Sequence, residues 1–501
     1  MKLRRWQKVL AVLVLLLAAG GLTAWLAFRE PLPDTRFNGA YRLDDGRRVY
    51  VGPREGEVLR YRLEDGTSGA LYPDGPAGEL RYVSGPGWSG REPVELEVTF
   101  RMDAAGRAEG FTWRPVGEGA AAAQAARRLD LPEEVFTFPS GDLALRGKLV
   151  LPPGPGPHPA AVLVHGSEAY SAVDHYFTPY LFAAHGIATL AYDKRGTGGS
   201  EGKYTQNFHV LARDVAAAVE ALRARSDIDP GRIHLQGGSQ GGWIAPLAAA
   251  RLAEGGHGVR SLLIGYGPMV PIIDEDRWGY VYELRRKGFG EEAIARADRL
   301  HETIVRIVDH GEWERWGELG RMLDEAQGED WFQAVSGSDS TLGFLADTWM
   351  PRWVVKLYAK WKLGQTVDGE PFADRLYDPV PVVASLDVPS LWIFGGEDSS
   401  MPTDWSVTEL ERLQAAGRPI EVLVYPEAEH GILRFEEGED GERRYLGYEP
   451  GYLMTMVRWL RERSGLEAVS GGLGGEAATD QGAPSAAGPG AGAGAGTGAF
   501  R

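Results

Sequence analysis

The chain has 501 residues, with 68 Gly, 31 Pro, no Cys and a formal net charge of −17. That length makes two or three domains, each able to bury a core. The absence of Cys excludes disulfide frameworks, thiol nucleophiles and Cys-ligated zinc, and the acidic balance argues against nucleic-acid binding, which needs a basic face.

Lys2, Arg4, Arg5 and Lys8 precede a 20-residue uncharged stretch, Val9 to Phe28, closed by Arg29 and Glu30. At ~1.5 Å per residue such a stretch spans a ~30 Å hydrocarbon core. Two readings of residues 1–30 stay open. One is a hydrophobic signal-anchor helix, giving a single-pass protein of the cell membrane. The other is a signal peptide cleaved near Ala18-Ala19-Gly20, giving a secreted protein. In both, the basic flank stays in the cytoplasm and the rest is exported.

Residues 31–116 alternate as short β-strands (Arg48 to Val51, Val58 to Tyr61, Val94 to Phe100, Gly110 to Trp113), split by turns at Asp45-Gly46, Asp65-Gly66 and Asp74-Gly75. They predict a small all-β module with no His in it, fit for packing or for an unidentified protein partner. Residues 117–133 read as an Ala-rich connector. From residue 134 the pattern changes. Nearly continuous apolar strands (Ala160 to Val164, Ile187 to Tyr192, Ile233 to Leu235, Val259 to Ile264) alternate with helical stretches. The alternation resumes late with Ser390 to Phe394, Ile420 to Val424 and a last helix near Tyr452 to Arg463. This predicts an α/β domain over 134–465, with a mostly parallel sheet covered by helices on both faces. Residues 271–378 interrupt it with a helical, acidic insertion holding 7 of the 15 Trp. Its place at the carboxyl ends of the strands reads as a cap over the site, with its Trp residues mainly core. Residues 466–501 form a Gly/Ala-rich tail whose composition predicts disorder.

The pattern G-x-S-x-G occurs twice. Gly198 to Gly202 sits in a polar stretch with no helix directly after it. Gly237-Gly238-Ser239-Gln240-Gly241 follows the strand Ile233 to Leu235 and opens a helix. Strand–turn–helix is what a nucleophile elbow needs, with Gly237 and Gly241 leaving room for the sharp turn. Ser239 is therefore the candidate nucleophile, ahead of Ser200. A serine hydroxyl needs a base, and the base needs an orienting acid. Only His430 among the ten His follows the late strands, in Glu429-His430-Gly431. The acid should leave the preceding strand, which makes it Asp398, with the neighbouring Glu397 as alternative. An oxyanion hole needs two N–H groups. Gln240, after the nucleophile, and Ser167, in the turn after Val164, are the candidates. His165 then shapes that turn.

Taken in order, Val164-His165-Gly166-Ser167, Tyr192 to Ser200, Gly237 to Trp243, Gly396-Glu397-Asp398 and Glu429-His430-Gly431 resemble the α/β-hydrolase fold serine hydrolases, close to bacterial esterases and prolyl-oligopeptidase-like hydrolases. The resemblance implies a Ser-His-Asp triad and an acyl-enzyme, with Arg195 and Ser200 ordering the loop beside the site. It also marks a departure. Glu168 and Ala169 stand where the family often has another Gly, which places an acid at the oxyanion loop. A Ser at the elbow, with no Cys in the chain, speaks against Cys-dependent dienelactone hydrolases, and Ser instead of Asp against haloalkane dehalogenases and epoxide hydrolases. The expected substrate is a small acyl ester, with a short peptide or amide as alternative and a non-catalytic envelope protein as the rival of another class. No metal motif and no cofactor-binding motif is present, so neither a metal nor a cofactor is expected.

Overall fold

The computed structural model describes residues 33–467 except 77 and 440. The N-terminal hydrophobic helix and, from residue 468 on, the Gly/Ala-rich tail expected above lie outside the described residues. Among the described residues, no helix is long and apolar enough to cross a membrane.

The β module is a closed barrel of eight antiparallel strands. They are β1 (Gly39–Leu43), β2 (Arg48–Glu55), β3 (Val58–Leu63), β4 (Ser68–Pro73), β5 (Arg81–Ser84), β6 (Leu96–Met102), β7 (Ala108–Pro115) and β8 (Gln124–Arg128). Alternating side chains fill the interior, where Phe37, Tyr41, Phe100 and Phe111 pack ring against ring. One expectation is corrected here. The Ala-rich stretch is not a plain connector, because β8 lies in it and closes the barrel by pairing with both β7 and β1. The small side chains suit a tight approach: a Cβ on Gly110 would stand 2.3 Å from the Ala126 carbonyl oxygen.

Before the helical insertion come β9 (Glu133–Ser140), β10 (Leu143–Val150), β11 (His158–Val164), β12 (Ala188–Tyr192), β13 (Ile228–Gly238) and β14 (Ser261–Gly265). Within its end, β15 (Thr366–Val367) pairs with β16 (Glu370–Pro371). After it come β17 (Ser390–Gly395), β18 (Ile420–Tyr425) and the hairpin β19 (Leu433–Glu437) and β20 (Arg443–Tyr448). The main sheet runs β18-β17-β14-β13-β11-β12-β10-β9. It is parallel from β12 to β18, and β10 is antiparallel to both its neighbours. From β11 the chain steps to β12 on one side and returns to β13 on the other. The loops after β11 and β13 therefore flank the switch point, where open α/β sheets leave a crevice.

The insertion carries helices from Ile272–Arg286 to Arg352–Leu363, with a hydrophobic cluster of its own around Tyr280, Ile294, Leu300, Leu319 and Trp331. The reading of its Trp residues as core is corrected for three. Trp349, Trp353 and Trp361 are 89%, 66% and 62% exposed, because the last helix turns Trp353 and Trp361 outward and buries Val355 instead.

The barrel meets the α/β domain through polar contacts. The Tyr448 N–H donates to the Gly66 carbonyl at 2.9 Å, the Trp88 N–H to Tyr445 at 2.8 Å, and Asn38 Nδ2 to Asp174 at 2.7 Å. Glu64 of the barrel faces His185 at 2.7 Å and accepts from the Tyr50 hydroxyl, also at 2.7 Å. Burial alone would raise the Glu64 pKa, but His185, Tyr50 and Arg48 together bring it down to about 2. A depressed carboxyl stabilises the fold above its unfolded pKa and loses that contribution as pH falls through the folded value. Glu64→Gln should thus lower stability by about 1–3 kcal/mol at pH 7. The deficit should shrink towards pH 3, as read by thermal unfolding at both pH values. An unchanged melting temperature at pH 7 would contradict this account of the interface.

Candidate active site

Ser239 follows the end of β13 with φ at 51°, a left-handed conformation that is strained for any residue with a side chain. Its neighbours make the turn possible. A Cβ on Gly237 would stand 2.7 Å from the Gly241 carbonyl oxygen, and one on Gly241 2.8 Å from that of Val164. The Gly242 N–H closes the turn on the Ser239 carbonyl at 2.7 Å, and the helix Gly241–Glu254 starts there. The serine hydroxyl is thereby presented above the carboxyl ends of β11 and β13.

His430 reaches the same point from the loop after β18. Its Nε2 lies 3.2 Å from Ser239 Oγ, and its Nδ1 lies 2.9 and 3.1 Å from the two Asp398 carboxylate oxygens. Asp398 is buried and also accepts from the backbone N–H of Ser400 at 2.9 Å and of Met401 at 3.0 Å. Glu397, the alternative acid, instead points outward, half exposed, to Arg443. Burial by itself would lower the His430 pKa. The charge and hydrogen bond of Asp398, with smaller contributions from Glu429 and Glu275, raise it to about 9.

Of the two oxyanion candidates, Ser167 lies on the wall of the cavity that holds Ser239, and Gln240 caps the helix. The N–H of Gln240 is among the donors at a helix N-terminus that no intrahelical carbonyl accepts. The loop carrying Ser167 is tied down by Lys194 Nζ, which donates to the carbonyls of Gly166 at 2.6 Å and Glu168 at 2.7 Å. His165 is buried against the Tyr192 carbonyl, and burial lowers its pKa to about 4. It is therefore neutral, with its Nε2 held at the Tyr192 carbonyl. Ser200 Oγ donates to the Asp193 carbonyl at 2.6 Å, and Arg195 pairs with the buried Asp214 at 2.6 Å.

Several residues at the site escaped the sequence reading. Glu429 is buried beside His430 and accepts from the N–H and hydroxyl of Ser399, clamping the base loop to the acid loop. Its adjacency to His430 was the available signal. Trp278 of the insertion donates to the Asp398 carbonyl at 3.1 Å. The cavity in front of Ser239, about 430 Å³, is bordered by Arg62 of the barrel and by Phe177, Tyr266, Tyr448 and Tyr452. The residues around it come from the barrel and the α/β domain, so the insertion approaches the triad from the Asp398 side and does not roof the cavity.

The chain is similar over part of its length to several known proteins. A family model described as serine aminopeptidase, S33, matches residues 155–287, which include the elbow but neither Asp398 nor His430. Esterase EstD of Thermotoga maritima is 27% identical over 226 residues, covering 42% of this chain and 51% of its own. A putative carboxymethylenebutenolidase of Yersinia pestis is 35% identical over 77 residues, covering 14% of this chain and 29% of its own. The chain thus spans between about a third and a half of the length of these curated relatives. The uncomplexed acylaminoacyl peptidase of Pyrococcus horikoshii aligns with 85% of this chain and 63% of its own, at 16% identity and a TM-score of 0.40.

The crowding at the elbow has a measurable consequence. Gly237→Ala has no room to relax, because the atoms it meets are backbone. It should cost about 1–3 kcal/mol. It should also slow labelling of Ser239 by a fluorophosphonate by roughly tenfold or more. Mass-spectrometric labelling rates read this, and wild-type rates would refute the steric argument.

Proposed function

We propose that this chain, an α/β-hydrolase by its sheet order and elbow, is a serine hydrolase that cleaves small acyl esters through an acyl-enzyme. One observation carries the reading: Ser239, His430 and Asp398 form an unbroken hydrogen-bonded row at the switch point of the sheet. His430 takes the Ser239 proton as Oγ attacks the acyl carbonyl. The oxyanion lies against the N–H groups of Gln240 and Ser167, and the positive end of the helix Gly241–Glu254 favours the new charge. His430 then gives its proton to the leaving alkoxide. A water, deprotonated by His430, attacks the acyl carbon, and the imidazolium returns that proton to Oγ as the acid leaves and Ser239 is freed. Asp398 holds the ring in place and stabilises the imidazolium throughout.

The relatives named as esterase and putative carboxymethylenebutenolidase support the ester reading. The serine aminopeptidase family model supports a second reading, cleavage of short peptides or amides at the same centre. A panel of acyl esters against aminoacyl amides separates the two. The uncharged stretch Val9 to Phe28 is the basis for placing the enzyme at the membrane or outside the cytoplasm.

Ser239→Ala should lower kcat/KM for p-nitrophenyl hexanoate by roughly 10³-fold or more. Full activity in that variant would sink the assignment. The base must be neutral to act, and the pKa of His430 is raised to about 9. The kcat/KM profile should therefore climb with pH from neutrality towards about 9, instead of levelling off near the ordinary histidine value of ~6.5. Burial pushes Glu275 itself up to about 8, so it favours the imidazolium at the alkaline end of this range, and Glu275→Gln removes that charge. Its profile should move to lower pH. A plateau reached by pH 7 in both proteins would contradict this picture of His430.

A further inference from the structure

Arg62 stands on β3 of the barrel, far along the chain from the triad, yet it borders the cavity that holds Ser239. Strand alternation accounts for its direction. Tyr61 and Leu63 point into the barrel, so Arg60 and Arg62 point out of it, towards the α/β domain. The two arginines are treated differently there. Arg60 lies 3.6 Å over the Trp88 ring and donates to the Trp88 carbonyl at 2.9 Å. Arg62 lies 4.2 Å over the Phe177 ring. Stacking occupies the face of a guanidinium, whereas its N–H groups lie in the plane. In Arg62, Nε and Nη1 are both buried with no hydrogen-bond partner among the described residues. A buried charged donor without an acceptor is costly. The one carboxylate on the same wall, Glu168, accepts instead from the Tyr176 hydroxyl.

We propose that Arg62 is a specificity residue of this site, and that the preferred esters carry a carboxylate that it binds at the barrel end of the cavity. The proposal rests on the reading of Ser239 as nucleophile. A carboxylate is planar and accepts several N–H groups, so it fits a guanidinium already fixed by stacking. Phe177, Tyr448, Leu453 and Met456 line the rest of the cavity and suit an aliphatic linker between carboxylate and scissile ester. This gives the barrel a part in substrate selection. It also supplies an acceptor for a half-buried guanidinium at the cavity wall in a chain of net charge −17.

The test compares mono-p-nitrophenyl adipate with p-nitrophenyl hexanoate, which share leaving group and acyl length and differ in the terminal carboxylate. The full chain, purified in a mild detergent, should favour the adipate half-ester in kcat/KM. Arg62→Gln should reduce the adipate-to-hexanoate ratio by roughly 10–100-fold, the loss of a charged hydrogen bond, and mainly through KM. Arg62→Lys should restore part of the ratio. An unchanged ratio in Arg62→Gln would overturn the proposal. If that variant does not fold, wild-type hexanoate hydrolysis decides. The adipic monoamide anion should inhibit it competitively and more strongly than hexanamide does, and equal or weaker inhibition would overturn the proposal. If hexanoate is turned over equally by wild type and Ser239→Ala, the nucleophile assignment fails, which is a different result.

Discussion

The turn at Ser239 is wedged between two neighbouring loops, and the rest of the site is built against it. On one side, a Cβ on Gly241 would meet the Val164 carbonyl oxygen at 2.8 Å. On the other, one on Gly242 would meet the Gly267 Cα at 2.5 Å. No side chain fits at either position. The same contact sets the distance from the serine to the turn at His165 to Ser167. The left-handed backbone at Ser239 persists because strand pairing on both sides of β13 over-determines it.

Buried charges hold the surrounding loops. Asp193 accepts from the Ser171 hydroxyl at 2.7 Å, from the N–H of Val173 at 3.1 Å and of Gly199 at 2.9 Å, and pairs with Arg146 at 3.2 Å. Lys194, next in sequence, fastens the loop at Gly166 and Glu168. The two residues tie the segments after β11 and β12 together under the site. Charges so deeply buried need compensating partners: Asp193 has the Arg146 guanidinium as well as its hydrogen bonds, and Lys194 donates to the backbone carbonyls of Gly166 and Glu168. Removing one partner would leave the other exposed to the full desolvation cost.

The three parts of the chain meet at His430. Its loop continues into the hairpin β19–β20, which the barrel holds through Gly66, Thr67 and Trp88. The acid loop is held from the insertion side by Trp278, and Glu429 joins acid loop to base loop. The barrel therefore bears on the base as well as on the cavity wall. The acids gathered around His430 favour its protonated form, which places a demand on the pH at which it can accept a proton.

The sequence by itself determined the alternation of strands and helices, the elbow at Ser239 and the place of His430 after the late strands. Each is a local pattern: an apolar run, a Gly-flanked turn, a residue at a strand's end. The closing strand β8 was illegible because Ala-rich stretches carry little periodicity, and its pairing with β1 is a long-range contact. The exposure of Trp349, Trp353 and Trp361 was equally hidden, since which helix face meets a neighbour is decided by packing. Asp398 and Glu397 are adjacent and chemically alike. Only the fold turns one inward, to His430 and two backbone N–H groups, and the other out to Arg443. Arg62 has no local signal at all. Strand alternation gives its side, but what stands on that side depends on how a closed barrel docks onto a distant sheet, and that is fixed by tertiary contacts alone.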